Sequence, residues 1–274
     1  MRKIAIILRG ISYTENYHHK YNIPKYTIDA RDTYSSIFNN IIEPLQNKGN
    51  QVDIFFVTYK SIIENELNDL YKPVKTYYKD FITIPHNKPK EGGFMIMDQH
   101  IEGIDLVEEY EKYKNIKYDN IIITRFDLYF YQKITEININ YNVFNYPFYH
   151  LVYKPTNAFT VEDNFILYPR NKNNVIKECI TEIKNTTFNT TTHLLGKHLL
   201  EHNETIKFLF GHKGDGQYDY PFYKFGRHLF GNSKVFNNIN DNINIKMNKI
   251  ETLKEYCIGD SIYFNKQLLS KIGF

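Results

Sequence analysis

Short apolar runs alternate with segments of helical periodicity through the first half of the chain. Residues 4–8, 52–57 and 121–124 are almost continuously apolar, Asp53 and Thr124 excepted. Runs of that length without polar alternation predict strands buried on both faces, as in a parallel sheet. Between the first two runs, Tyr34, Ile37, Phe38, Ile41 and Leu45 recur at steps of three and four. This predicts a helix with one apolar face, capped by Asp32 and stopped at Lys48-Gly49. Pro44 is expected to distort its last turn. Ser61 is placed to cap a second helix reaching Tyr71. Ile101, Ile104, Val107 and Tyr110 form the stripe of a third, over residues 95–114. Residues 74–84, between Pro73 and Pro85, hold one or two further strands. Strand and helix thus alternate, which predicts a parallel sheet with helices on both faces.

The second half is less regular. Residues 149–153 and 165–168 have strand character. A helix is expected from Asn173 or Asn174, with Val175, Ile176, Cys179, Ile180 and Ile183 on its stripe. Another spans 192–202, and 206–210 forms a last strand. Residues 12–29, 85–93, 211–227 and 237–248 are polar or rich in Gly, Pro and Asn, and are expected to be loops. No repeat or linker divides the chain. One domain is expected over residues 1–274, with a regular first half (1–130) and an elaborated C-terminal half (131–274).

Composition adds mainly exclusions. The chain has 274 residues, 42% hydrophobic and 24% charged, which suits a globular domain with a substantial core. Two cysteines exclude a disulfide framework. A net charge of +3, spread along the chain, is too mild to argue for nucleic-acid binding, and no nucleic-acid partner is expected. Met1-Arg2-Lys3 and the following apolar run resemble the start of a signal peptide, but Arg9-Gly10 ends the run too early. No stretch reaches membrane-spanning length. A soluble, cytoplasmic protein is expected, so the three Asn-x-Ser/Thr sequons at Asn185, Asn189 and Asn203 are attributed to chance. There are 24 Tyr and 20 Phe but no Trp. With the abundance of Asn, Ile and Lys, this fits an AT-rich genome better than a dedicated stacking surface.

Ligands of open parallel sheets bind at the carboxyl ends of the strands. Arg9-Gly10 follows the first run, Thr58-Tyr59 the second and Arg125-Phe126-Asp127 the third. No G-x-G-x-x-G or Walker A sequence follows any of them, which disfavours the dinucleotide and P-loop routes. What remains is two arginines, a carboxylate, a flexible glycine and an aromatic ring. Arginine forks neutralise phosphate oxygens, and a carboxylate can hold a divalent cation bridging a diphosphate. The implied chemistry is group transfer from a nucleotide-diphosphate donor.

The same segments carry a resemblance. Residues 4–10, the stretch Val52-Asp53-Ile54-Phe55-Phe56-Val57-Thr58-Tyr59, and Tyr118-Asp119 leading through the third run to Arg125-Phe126-Asp127-Leu128 resemble a group of glycosyltransferases. These occur in bacterial surface-polysaccharide clusters and in large DNA viruses. An Asp-x-Phe segment, Asp163-Asn164-Phe165, and a leucine-rich helix over 193–200 extend the likeness to residue 210 or so. The resemblance implies an α/β fold of the GT-A (Rossmann-like) class, with a mainly parallel central sheet flanked by helices. It further implies a nucleotide-sugar donor, a glycan or glycoprotein acceptor, and a divalent metal, Mn²⁺ or Mg²⁺. If the protein is viral, host cytoplasm or virion is implied.

The chain departs from the usual Asp-x-Asp motif, with Arg125 in place of the first acid. Asp127 is then the expected metal ligand, with His212 as a late partner. Arg125 takes over part of the cation's role. Arg9, Gly10, Thr58, Tyr59 and Gln99 are expected to line the donor site, beside His100. Asp163 is the expected general base if the reaction inverts, with Glu162 as the fallback, whereas a retaining reaction would not need that base. The loops 85–93 and 211–227 could close over the donor. Tyr218, Tyr220, Phe222, Tyr223 and Phe225 form either an acceptor platform or a plug beneath a loop. A non-catalytic binding module with a degenerate metal site is the alternative. A nucleotidyltransferase would need a Gly/Lys/Arg-rich loop directly after the first strand, and Arg9-Gly10-Ile11-Ser12 matches that poorly.

Overall fold

Along the first strand, alternate side chains enter two different cores. Ala5 and Ile7 pack in one, and Ile4, Ile6 and Leu8 in the other. The strands at 51–59 and 120–125 divide the same way, with Phe55, Val57, Ile121 and Ile123 on one face and Ile54, Phe56 and Ile122 on the other. A strand buried on both faces explains the uninterrupted apolar runs. The computed structural model describes residues 1–17, 26–80, 89–153, 158–185, 192–210, 222–225, 257–258 and 261–264.

In chain order the elements are β1 (Lys3–Gly10), β2 (Tyr13–Tyr17), β3 (Tyr26–Asp29), α1 (Arg31–Ile37), a π-helical turn (Phe38–Ile42), α2 (Glu43–Asn47), β4 (Gln51–Tyr59), α3 (Glu64–Tyr71), β5 (Lys75–Lys79), α4 (Pro89–Lys114), β6 (Asn120–Arg125) and β7 (Leu128–Phe130). Then come β8 (Phe144–Tyr146), β9 (Tyr149–Tyr153), β10 (Ala158–Val161), β11 (Phe165–Pro169), α5 (Asn173–Asn185), a 3-10 turn (Thr192–Leu194), α6 (Leu195–Glu201), β12 (Ile206–Phe208), β13 (Tyr223–Phe225), β14 (Cys257–Ile258) and β15 (Ser261–Phe264).

The main sheet has the order β14-β15-β12-β8-β11-β6-β1-β4-β5. From β12 to β5, every strand but β11 runs in one direction. The fold is therefore α/β, with a mainly parallel central sheet flanked by helices, as expected. Both halves of the chain contribute strands to this one sheet.

Four local expectations need correction. Residues 12–29 contain an antiparallel pair, β2 with β3, rather than loop alone. Asp32 is not the helix cap, because Ala30 holds that position. The helix distortion falls before Pro44, across Phe38–Ile42, because proline has no N–H to donate to the preceding turn. Residues 89–93 belong to α4 despite Gly92-Gly93, with Pro89 at its start, where a missing N–H costs nothing. Residues 81–88 and 237–248 lie outside the described residues. Among the described residues, no helix is long and apolar enough to cross a membrane.

Candidate active site

The parallel strands end side by side. Arg9 of β1 is in register with Arg125 of β6, and Gly10 with Thr58 of β4. β11 runs the opposite way, and its first residue, Phe165, pairs with Thr124. The residues just ahead of it, Glu162, Asp163 and Asn164, therefore arrive at the same edge. This is the carboxyl edge at which open α/β sheets bind ligands.

Arg9 is the hub of that edge. It is 2% exposed, and its Nη2 donates to the Asp163 carbonyl at 2.6 Å. Its Nε has no partner among the described residues. Burial lowers its pKa to about 10 against the opposing pull of Asp163, and Arg125 adds repulsion. Asp127 and Glu162 also act on it favourably. Arg125 holds Asp127 in a fork, Nε to Oδ1 at 2.7 Å and Nη2 to Oδ2 at 2.8 Å. The Arg125 side chain is 21% exposed, against 6% for Asp127, so the guanidinium is the part a solute can reach. Asn164 donates to Glu162, and the Asn164 carbonyl accepts from Thr124 Oγ1 at 3.1 Å.

Asp163 is held by its surroundings as an anion. Burial works to raise its pKa, but His193, Arg9 and the Thr192 hydroxyl outweigh it, leaving the pKa well below the ordinary carboxylate range. Thr192 donates directly to the carboxylate. His193 Nδ1 lies 2.7 Å from the Val161 carbonyl and 3.8 Å from Asp163 Oδ1. His100, buried on α4, is pushed down to a pKa of about 3, first by burial and then by Arg9. Its Nδ1 sits 2.8 Å from the Ile96 carbonyl, so the neutral ring carries its proton there. Gly103 lets α4 approach this closely, since a Cβ there would lie 2.6 Å from Ile7 Cγ2.

The edge thus brings together Arg9, Arg125, Asp127, Glu162 and Asp163. Gln99 is buried beside His100 on α4. Thr58 has a different occupation: its hydroxyl donates to the Gly10 carbonyl at 2.7 Å and lies 3.0 Å from Ser12 Oγ. It ties β4 to the turn after β1. Gly10 adopts φ +98°, which disfavours any side chain although space is open. Tyr59 is buried at the end of β4. His212 lies outside the described residues, as do Tyr218 and Tyr220. Phe222 and Tyr223 are fully buried, with Phe222 packed against Phe130 at 4.9 Å and Phe165 at 5.2 Å. Those two are a plug, not a platform.

Among the described residues, no group of three or more potential ligand atoms includes Asp127. Both Asp127 oxygens accept from Arg125. The grouping of three potential ligand atoms found among the described residues lies elsewhere, on α5 and α6.

Thr192, His193 and Asn164 join the cluster without having been singled out as functional by sequence, whereas His100 is expected from sequence to face the donor beside Gln99. A single histidine carries no pattern, and His193 was absorbed into the leucine-rich stripe. Asn164 was marked only as the middle residue of the Asp-x-Phe segment.

No family model matches the chain, and no curated protein matches it. One similar solved structure is the crystal structure of a glycosyltransferase involved in the glycosylation of the major capsid of PBCV-1. It is 10% identical, with a TM-score of 0.35, over 73% of this chain and 75% of that one. At that similarity, a functional reading rests on the geometry of the carboxyl edge.

Proposed function

We propose that the protein is a nucleotide-sugar-dependent glycosyltransferase. It would move a sugar from a nucleotide-diphosphate donor to a glycan or glycoprotein acceptor, in surface or virion glycan synthesis. The observation that carries this reading is the convergence of Arg9, Arg125, Asp127, Glu162 and Asp163 at the carboxyl edge of a mainly parallel sheet. That sheet agrees with the GT-A class the motifs resemble.

In this reading the Arg125 fork exchanges Asp127 for the donor diphosphate, and Asp127 keeps the fork aligned until then. Arg9 positions residues 162–164 through the Asp163 carbonyl. Gly10, Thr58, Tyr59 and Gln99 shape the donor wall. The acceptor hydroxyl oxygen attacks the anomeric carbon, and the bond to the diphosphate oxygen breaks with its electron pair. Asp163 takes the hydroxyl proton, with Glu162 beside it. Asp163 is ionised, the state a general base starts from. Asp127 and His212 would hold a divalent cation, Mn²⁺ or Mg²⁺, which would help to neutralise the departing diphosphate.

One observation favours a non-catalytic module instead: Asp163 holds protons weakly and is already engaged by Thr192. Thermal shift against UDP-, GDP-, dTDP- and CMP-sugars, with and without Mn²⁺ or Mg²⁺, tests both readings. A donor that binds raises the melting temperature by mass action. No shift with any donor at millimolar concentration sinks the enzyme and the nucleotide-sugar-binding module, and leaves a glycan-binding module. Donor hydrolysis or transfer separates the enzyme from the module.

A further inference from the structure

The two helices α5 and α6 meet along a seam that the active edge does not use. On α5, Glu182 stands three residues past Cys179 and four past Glu178; His198 of α6 and His202, at the end of that helix, stand four residues apart. Cys179 Sγ, a Glu182 carboxylate oxygen and a His202 ring nitrogen all lie within 4.8 Å of one another. Glu182 is held from both sides, 2.9 Å from His202 Nε2 and 2.9 Å from His198 Nδ1. Glu201 stands 3.3 Å from His198, and Glu178 3.8 Å from His202. An open groove of about 580 Å³ runs over the seam, lined by Glu182, Asn185, His198, Glu201 and His202.

We propose that this seam binds a divalent transition-metal ion of the zinc class through Cys179, Glu182 and His202, with the fourth position open to the groove. Sulfur, nitrogen and carboxylate donors in one cluster select such an ion over calcium or magnesium, which prefer oxygen alone. In tetrahedral coordination, ligand atoms at zinc distances lie about 3.3–3.8 Å apart, so the widest of these separations closes by roughly an ångström at most, and the 2.9 Å contact between His202 and Glu182 opens slightly. The Cys179 thiol passes its proton to solvent on binding, and one thiolate with one carboxylate then balances the ion's charge. Glu178, Glu201 and Glu204 act on the same thiol and add a negative field that draws a cation in. His198 orients Glu182 from outside the coordination sphere, as such partners do. A clasp of His–Glu pairs without an ion is the competing account.

Cobalt(II) titration of the full chain separates the two. The proposal expects intense visible bands of tetrahedral cobalt and a thiolate-to-cobalt band in the near ultraviolet, both removed by added Zn²⁺. His202→Gln, at a partly exposed position, is expected to weaken cobalt binding by more than tenfold with its circular dichroism unchanged. His198→Gln is expected to weaken it roughly 10–100-fold. Cys179→Ser abolishes the near-ultraviolet band, whereas Cys257→Ser and Asp127→Asn leave it. Absence of that band, its loss in Cys257→Ser or Asp127→Asn, or equal affinity in His202→Gln overturns the proposal.

Discussion

Two arginine–carboxylate groups occupy opposite ends of β6, and they are built on different principles. At its amino end Arg170 closes on Glu111, with Nε 3.0 and 2.9 Å from the two oxygens and Nη2 at 2.5 Å. The Tyr118 N–H donates to the same carboxylate at 2.9 Å. This is a clasp, in which the arginine fork and the carboxylate serve each other. At the carboxyl end, two arginines face three carboxylates and two histidines, and Arg9 Nε has no partner among the described residues. Burying that much charge costs several kcal/mol per unpaired ion, more than a β-sheet edge requires for its own stability. The excess is what makes the second group a candidate site and the first a structural fastening.

Removing one member from each group is the strongest way to break this contrast. Arg9→Leu leaves Asp163, Glu162 and Asp127 facing one another and is expected to cost about 3–5 kcal/mol in urea unfolding. Glu111→Gln should cost less, about 1–3 kcal/mol, because Arg170 retains access to water. Equal losses would erase the distinction between hub and clasp.

Acid should act on the carboxyl-end group through His100. An unfolded histidine takes a proton near pH 6.5, whereas His100 in the fold resists until about 3. Between those values the unfolded chain binds more protons, so stability rises with pH and is lost on acidification. The slope is at most about 1.4 kcal/mol per pH unit. The contribution of Asp163, whose pKa is lowered, is lost only below the ordinary carboxylate range. The fall in urea midpoint between pH 6.5 and about 5 should therefore shrink in His100→Gln. An unchanged fall would remove His100 from the account.

The smallest expected change in stability is that of Arg125→Lys, which keeps the charge and should stay within about 1 kcal/mol. Its effect on ligand binding is the informative part. A lysine lacks the planar fork, so any nucleotide-sugar thermal shift should collapse while the fold stands. A retained shift would place the diphosphate elsewhere.

Much of the scaffold was legible because burial on two faces writes a local signature. The apolar runs of β1, β4 and β6, the stripe of α5 and the loop positions after each parallel strand all follow from spacing within a few residues. The hairpin of β2 and β3 was not legible, since Tyr13–Tyr17 is largely polar and pairs across an intervening segment. The plug role of Phe222 was open for a similar reason, as an aromatic run has the same sequence whether it is buried or exposed.

By itself, the sequence determined that Arg9, Arg125 and Asp127 would stand at strand ends, because period and run length are properties of neighbours along the chain. Tertiary structure alone decided which way β11 runs. That direction carries Glu162, Asp163 and Asn164 to the same edge, and the packing of α4 over Gly103 brings His100 to it. Strand direction and helix docking are set by contacts between residues far apart in sequence, and no local pattern encodes them. The buried field that holds Asp163 ionised and His100 neutral exists only once those distant charges share one low-dielectric edge.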